Sequence, residues 1–178
     1  MALVDEHINL PTPNKVAVFD TTIGTFEAEI FEDKAPISSK NFLDYVSAGY
    51  YNGLIFHRVI AGFMIQGGGF DKDMNEKPTN PAIKNEAGNG LKNEKYTLAM
   101  ARTNVVDSAT SQFFVNVENN EFLDHRDETM QGFGYAVFGK VTTGFEVVDS
   151  IAKVQTTTVG HFQDVPAAPV IINKVSIK

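Results

Sequence analysis

Cysteine is absent from the chain, so disulfide cross-links, thiolate nucleophiles and cysteine-ligated zinc are excluded from its chemistry. Also missing is any uninterrupted apolar run long enough for a membrane-spanning helix. Residues Met1 to Asn14 have neither the basic start nor the apolar centre of a secretory signal; they read as a polar lead-in containing Pro11 and Pro13. Basic residues are in deficit. Fifteen Lys and Arg stand against 22 Asp and Glu, a net charge of -7, which argues against a nucleic-acid phosphate backbone as partner. Internal repeats and low-complexity tracts are lacking too. A cysteine-free chain without a leader fits an expected cytoplasmic location.

What is present describes an ordinary globule. The 178 residues suit one domain with a real core, and 43% apolar against 21% charged residues rules out a disordered chain. The expected division is a polar extension over 1–14 and a single domain over 15–178.

The periodicity predicts mostly strands. Lys15 to Asp20 and Thr25 to Phe31 form a hairpin, the second run alternating Phe26, Ala28, Ile30 with Thr25, Glu27, Glu29. A helix follows, with Pro36 in its first turn, Phe42, Tyr45 and Val46 on one face, and Gly49 at its end. Further strands are predicted over Lys95 to Ala101, Gln112 to Val117, Tyr135 to Val141 and Val170 to Ile177. Phe145, Val148, Ile151 and Ala152 mark a second amphipathic helix. Between 71 and 94 runs a long polar connection, which in a compact domain is either functional or tied down by its own contacts. Strands joined mainly by turns argue for an antiparallel, mainly β architecture.

One segment departs from plain patterning. Ile55-Phe56-His57-Arg58-Val59-Ile60 and Met64-Ile65-Gln66 read as two strands around an Ala61-Gly62 corner, closed by Gly67-Gly68-Gly69. Arg58 and Gln66 are the polar residues in this apolar run. Burying a cation there costs several kcal/mol unless it is paired, and the Gln66 amide oxygen is a partner of the right kind. Strand alternation places Phe56, Arg58 and Ile60 on one face, with Met64 and Gln66 on the matching one. Two readings follow from the pattern: a core hairpin whose arginine snorkels to the edge, or an apolar floor bearing one fixed cation.

The same segment closely resembles the signature of the cyclophilins, the peptidyl-prolyl cis-trans isomerases. Further matches follow in order: Leu98-Ala99-Met100-Ala101, Ser111-Gln112-Phe113-Phe114, Phe122-Leu123-Asp124 and Val137-Phe138-Gly139-Lys140-Val141. They run from about Val16 to the C-terminus, and the spacing after Leu123 is similar to that of bacterial members. The resemblance implies a closed eight-stranded antiparallel β-barrel capped by two α-helices, with the site on its outer face because the interior is filled. It also implies isomerisation of X-Pro bonds in peptides and folding proteins.

An X-Pro bond rotates slowly because rotation breaks amide resonance, and the prolyl nitrogen regains a basic lone pair at the twisted transition state. A fixed donor aimed at that nitrogen stabilises the transition state more than the ground state. The resemblance gives this role to Arg58, with Gln66 holding its planar fork. It places the proline pocket on Phe63, Met64, Phe114 and Leu123, and substrate backbone pairing on Ala101, Arg102 and Thr103, with Gln112 adding a side-chain bond. Family members commonly carry asparagine where Arg102 stands, so an extra cation at the rim is expected. Phe122 stands where tryptophan is frequent and Tyr135 where histidine is, which implies weak binding of cyclosporin without loss of isomerisation. No nucleophile, proton shuttle, metal or cofactor is called for. Expected partners are proline-containing peptides and unfolded or folding proteins, not nucleic acid or membrane, and the expected state is a monomer.

Other signals lead nowhere. His57 points away from Arg58 and reads as a buried structural histidine, while His7, His125 and His161 lack ligand spacing. Asp71-x-Asp73-x-Asn75 starts like a calcium loop but has Glu76 and Ala82 where glycine and glutamate are required. Gly67-Gly68-Gly69 lacks the Lys-Ser/Thr of a phosphate loop. Glu118, Glu121, Asp124, Asp127 and Glu128 form a solvated acidic loop. Two other functions share the pattern: a non-catalytic adaptor for proline peptides, against which the paired Arg58 and Gln66 speak, and a small-molecule barrel, against which the bulky inward residues speak.

Overall fold

The computed structural model describes residues 13–178, so the expected extension over 1–14 lies almost wholly outside the described residues. The elements are β1 (Val16–Thr21), β2 (Thr25–Ile30), α1 (Pro36–Ser47), β3 (Arg58–Ile60), β4 (Met64–Gly67), β5 (Thr97–Met100), β6 (Phe113–Asn116), β7 (Val137–Thr143), α2 (Phe145–Ala152), β8 (Thr156–Val159), β9 (Phe162–Pro166) and β10 (Ile172–Ile177). Eight strands form one antiparallel sheet in the order β10-β1-β2-β7-β5-β6-β4-β3.

The closed barrel is corrected. Edge strands β3 and β10 share no ladder among the described residues; their flanks meet through an isolated Ile55–Ile171 bridge and bonds such as Phe56 N–H to the Val170 carbonyl. The sheet is therefore a curled half-barrel. β3 is three residues long, and the chain leaves strand geometry at Phe56 and His57, so pairing cannot continue along that edge.

Alternation along the paired strands fills the interior. Phe19 and Phe26 are cross-strand partners whose rings stack at 4.5 Å, and Phe42 from α1 meets Phe113 edge-on at 5.7 Å. Phe138, Leu98, Ile65 and Val115 complete the same buried cluster. α1 buries Phe42, Tyr45 and Val46 as its spacing predicts, and α2 buries Val148, Ile151 and Ala152. Phe145, the fourth predicted member of that face, lies instead partly exposed against Tyr96.

The 71–94 connection is tied down by its own side chains. Glu86 accepts from the backbone N–H groups of Ile37 and Ser38, which caps α1 from 48 residues away in sequence. Asn85 donates to the carbonyls of Val106 and Gly134 and accepts from the Ala87 N–H. Asp71 accepts from the N–H groups of Asp73 and Asn75, closing a local turn. The β8–β9 hairpin forms a separate two-stranded sheet that the sequence pattern did not announce. Thr156, Thr157 and Thr158 offer no apolar alternation, and most of β8 is exposed. β9 packs against β3.

Candidate active site

Strands β3 to β7 place the site on the outside of the sheet. In the β3–β4 pair Arg58 lies opposite Gln66 and Ile60 opposite Met64, while β6 sets Phe114 beside Gln66 and β5 sets Ala99 beside Phe114. Met64, Ala99, Phe114, Leu123 and Val137 form a second buried apolar cluster, separate from the interior. It floors an open cavity of about 190 Å3 lined by Arg58, Phe63, Met64, Gln66, Ala101, Arg102, Phe114, Leu123 and Tyr135. Nine of the twelve expected site residues therefore converge on one cavity.

The remaining three lie around it. Thr103 and Gln112 line an adjoining hollow of about 140 Å3, which shares Gln66, Ala101 and Arg102 with the first. Phe122 lines neither. It is 63% exposed and lies against Phe63, the two rings stacked 5.6 Å apart, so it backs the pocket through another ring.

Two expectations for Arg58 are corrected. Its side chain is exposed, so no buried cation is involved, and Phe56 turns into the core instead of sharing its face. The break in strand geometry at Phe56 and His57 shifts the alternation by one residue before β3 begins. Arg58 Nη1 donates to Gln66 Oε1 over a long 3.4 Å, and Gln66 Nε2 donates to Gln112 Oε1 at 2.9 Å. No carboxylate pairs with Arg58 among the described residues. Most of its donors thus remain available at the cavity edge.

The glycines that follow allow close packing beneath this network. Gly68 has a φ of 90°, and a side chain there would meet Phe113 and Tyr51 at 2.9 Å. At Gly69 a Cβ would lie 2.6 Å from the Gln112 side chain, the group that holds Gln66. His57 is buried against Phe70 at 4.6 Å, as expected of a structural histidine. Burial, and secondarily the neighbouring Arg58 charge, lowers its pKa from 6.5 to about 4, so the ring stays neutral near pH 7.

Backbone groups of the 101–103 stretch are partly committed. Ala101 N–H donates to the Gln112 carbonyl, Thr103 N–H to Ser108 Oγ, and the Thr103 carbonyl accepts from Arg102. The Arg102 N–H and the Ala101 and Arg102 carbonyls make no hydrogen bond among the described residues, which leaves them for a bound chain. The Arg102 guanidinium stands at the cavity rim and is held in place there. It donates to the carbonyls of Gly134, Thr103 and Met130 and lies over the Tyr135 ring.

Sequence reasoning missed a set of buried asparagines that hold the pocket wall. Asn116 Nδ2 donates to Asn93 Oδ1 and Thr97 Oγ1, and its own oxygen accepts from Asn120 at 2.7 Å. Asn120 also donates to the Phe63 carbonyl at 2.8 Å, while Asn93 donates to the Leu123 and Tyr135 carbonyls. The signal was an asparagine between valines in the Val115-Asn116-Val117 strand, a polar residue where burial demands partners.

The model of the family "Cyclophilin type peptidyl-prolyl cis-trans isomerase/CLD" matches residues 16–177. The chain is 55% identical to "Peptidyl-prolyl cis-trans isomerase A" of Dickeya dadantii (strain 3937), covering 93% of this chain and 86% of that one. It is 54% identical to "Peptidyl-prolyl cis-trans isomerase B" of Escherichia coli (strain K12), covering 91% and 99%. Among solved structures it is similar to a cyclophilin type peptidyl-prolyl cis-trans isomerase of Cryptosporidium parvum, with a TM-score of 0.75 and 26% identity over 93% of this chain and 98% of that one. A second structure of that protein, determined in the presence of the dipeptide Ala-Pro, matches with a TM-score of 0.74 at 26% identity, covering 92% and 98%.

Proposed function

The chain belongs to the cyclophilin-type peptidyl-prolyl cis-trans isomerases, and from that premise we propose how its outer face performs the reaction. The proline ring enters the apolar cavity over Met64, Phe114 and Leu123, with Phe63 and Tyr135 as walls. The peptide chain pairs with the free backbone groups of Ala101 and Arg102. As the X-Pro bond twists out of plane, Arg58 donates to the pyramidal prolyl nitrogen. That hydrogen bond does not exist while the amide is planar, so it lowers the barrier without deepening the ground state. Gln112 holds Gln66, and Gln66 holds one arm of Arg58, so the fork is oriented before substrate arrives.

The observation that carries this reading is an arginine without a carboxylate partner, on the rim of an apolar cavity and steadied by a neutral amide. A mere adaptor for proline peptides has no use for such a donor. Clients are proline-containing peptides and folding proteins. Cyclosporin is expected to bind weakly, because exposed Phe122 has no indole N–H to offer.

The test is isomerisation of an Ala-Pro peptide by the parent, Arg58→Ala and Arg58→Lys. Loss of one preorganised transition-state donor is expected to lower the rate by about 10²–10³, with lysine recovering only part. Melting temperatures should stay close to that of the parent, since Arg58 is exposed. A folded Arg58→Ala enzyme of full activity would overturn the assignment.

A further inference from the structure

Tyr135 forms one wall of the cavity, and its ring is held by packing and not by a hydrogen bond. The backbone is anchored: its N–H donates to the Leu123 carbonyl at 2.9 Å and its own carbonyl accepts from Asn93. The hydroxyl makes no hydrogen bond among the described residues, and the ring is only half-buried. The ring packs on the outer apolar cluster, and two neighbours bear directly on its plane. Phe114 meets it edge-on at 5.8 Å, and the Arg102 guanidinium lies over it with Cζ 4.7 Å from the ring centre.

Arg102 is itself locked. Nε donates to the Gly134 carbonyl at 3.0 Å, Nη2 to the Met130 carbonyl at 3.0 Å and Nη1 to the Thr103 carbonyl at 2.9 Å. One guanidinium thereby ties the segment after β5 to the loop before β7, in the same plane that it presents to Tyr135. We propose that Arg102 is a positioning residue for the isomerisation site: it holds the Tyr135 ring and the 130–134 backbone as the outer wall of the proline pocket. The inference rests on the pocket reading given above. It replaces a rim cation that reads substrate charge, because three of the five donors of Arg102 are committed to main-chain carbonyls and one face of the fork to an aromatic ring.

The chemistry is specific to arginine. A lysine ammonium is a point charge that can neither stack flat on a ring nor reach three divergent carbonyls at once. The brace therefore predicts that Arg102→Lys and Arg102→Met fail alike, although one keeps the charge and the other loses it. A rim cation predicts that lysine rescues.

Kinetics on an Ala-Pro peptide and NMR of the protein carrying 13C-labelled tyrosine decide between them. Both variants should raise KM by about three- to tenfold, the range of a partly exposed cation–ring contact, with kcat within about twofold of the parent. Tyr135 ring resonances should shift and its flips quicken, while the signals of buried Tyr45 and Tyr51 stay put. In a Tyr135→Leu background, Arg102→Lys should add little. A parent-like KM in Arg102→Lys, or an undisturbed Tyr135 ring, would overturn the brace and leave the pocket reading standing. A loosened ring with unchanged KM, together with an unchanged KM in Tyr135→Leu alone, would overturn both.

Discussion

Strand β6 presents two faces that can be compared residue by residue. Inward lie Phe113 and Val115, with Val117 just beyond the strand, all buried and surrounded by apolar and aromatic side chains. Outward lie Gln112, Phe114 and Asn116, counting the residue before the strand. Gln112 steadies Gln66 and through it Arg58; Phe114 floors the cavity; Asn116 props the wall through Asn93 and Asn120. The inward row needs only volume and hydrophobicity, and many apolar sequences would meet that need. Every outward residue needs a particular donor, acceptor or shape. One strand thus carries a generic scaffold and a specified site, one residue apart.

Truncating the two adjacent phenylalanines should break that comparison most sharply. Phe113→Ala is expected to cost about 3–5 kcal/mol in denaturant unfolding, because it empties a site ringed by Phe19, Phe42, Tyr51 and Phe56. Phe114→Ala opens onto an existing cavity, where solvent can follow, and should cost no more than about 2 kcal/mol while raising the peptide KM severalfold. Equal stability losses would show that the two faces are energetically alike.

Acid should expose the next contrast. His57 has a folded pKa of about 4, below its ordinary 6.5, so the unfolded chain takes up the proton first as pH falls. Stability from this residue is complete above about pH 6.5, declines through the window between the two values and levels off below pH 4, for a loss of about 3 kcal/mol. His57→Leu should flatten that part of the curve, measured as melting temperature against pH. Activity between pH 6 and 8 should stay nearly flat, since the proposed step moves no proton.

Asn116→Ala probes the outer props. It takes from Asn93 Oδ1 its donor and from Asn120 Nδ2 one of its two acceptors, and an expected loss of about 1–3 kcal/mol should come with weaker peptide binding as Leu123 and Tyr135 relax. An unchanged KM at that loss of stability would make the asparagines mere scaffold. The smallest effect is expected from Gly69→Ala, whose methyl would push against the Gln112 side chain from Cγ to its amide. Displacing that amide should remove about 1 kcal/mol of transition-state stabilisation, roughly a fivefold drop in kcat, at nearly constant melting temperature.

The inward row was the easier one to read from sequence. Alternation in β2 and helical spacing in α1 followed from period alone, and bulky apolar residues marked the interior without ambiguity. Alternation failed where the backbone broke it: at Phe56, which turned inward two residues before Arg58, and in β8, whose threonines carry no period. The residues that the resemblance named meet around one cavity and its neighbour, but their local contacts were not legible. Arg102 was expected as an added cation at the rim; that its donors bond three carbonyls could not be read, because the 130–134 loop that receives two of them has no sequence signature. Phe122 was expected in the wall and stands behind Phe63. Of the asparagine props only Asn116, between two valines, left a signal; its partners were not legible, because Asn93, Asn116 and Asn120 come together only once the 71–94 connection is folded against β6.

The central claim is that the outer face divides its labour, the apolar floor binding proline and Arg58 acting only on the twisted bond. NMR of an Ala-Pro peptide with the parent and Arg58→Ala tests this directly, because titration gives Kd and exchange between cis and trans resonances gives the catalysed rate in the same sample. The predicted result is a Kd within about threefold of the parent with exchange slowed by about 10²–10³, the signature of an interaction made only in the transition state. Exchange that persists at the parent rate per bound peptide, with the loss confined to Kd, would contradict the claim and make Arg58 a binding residue.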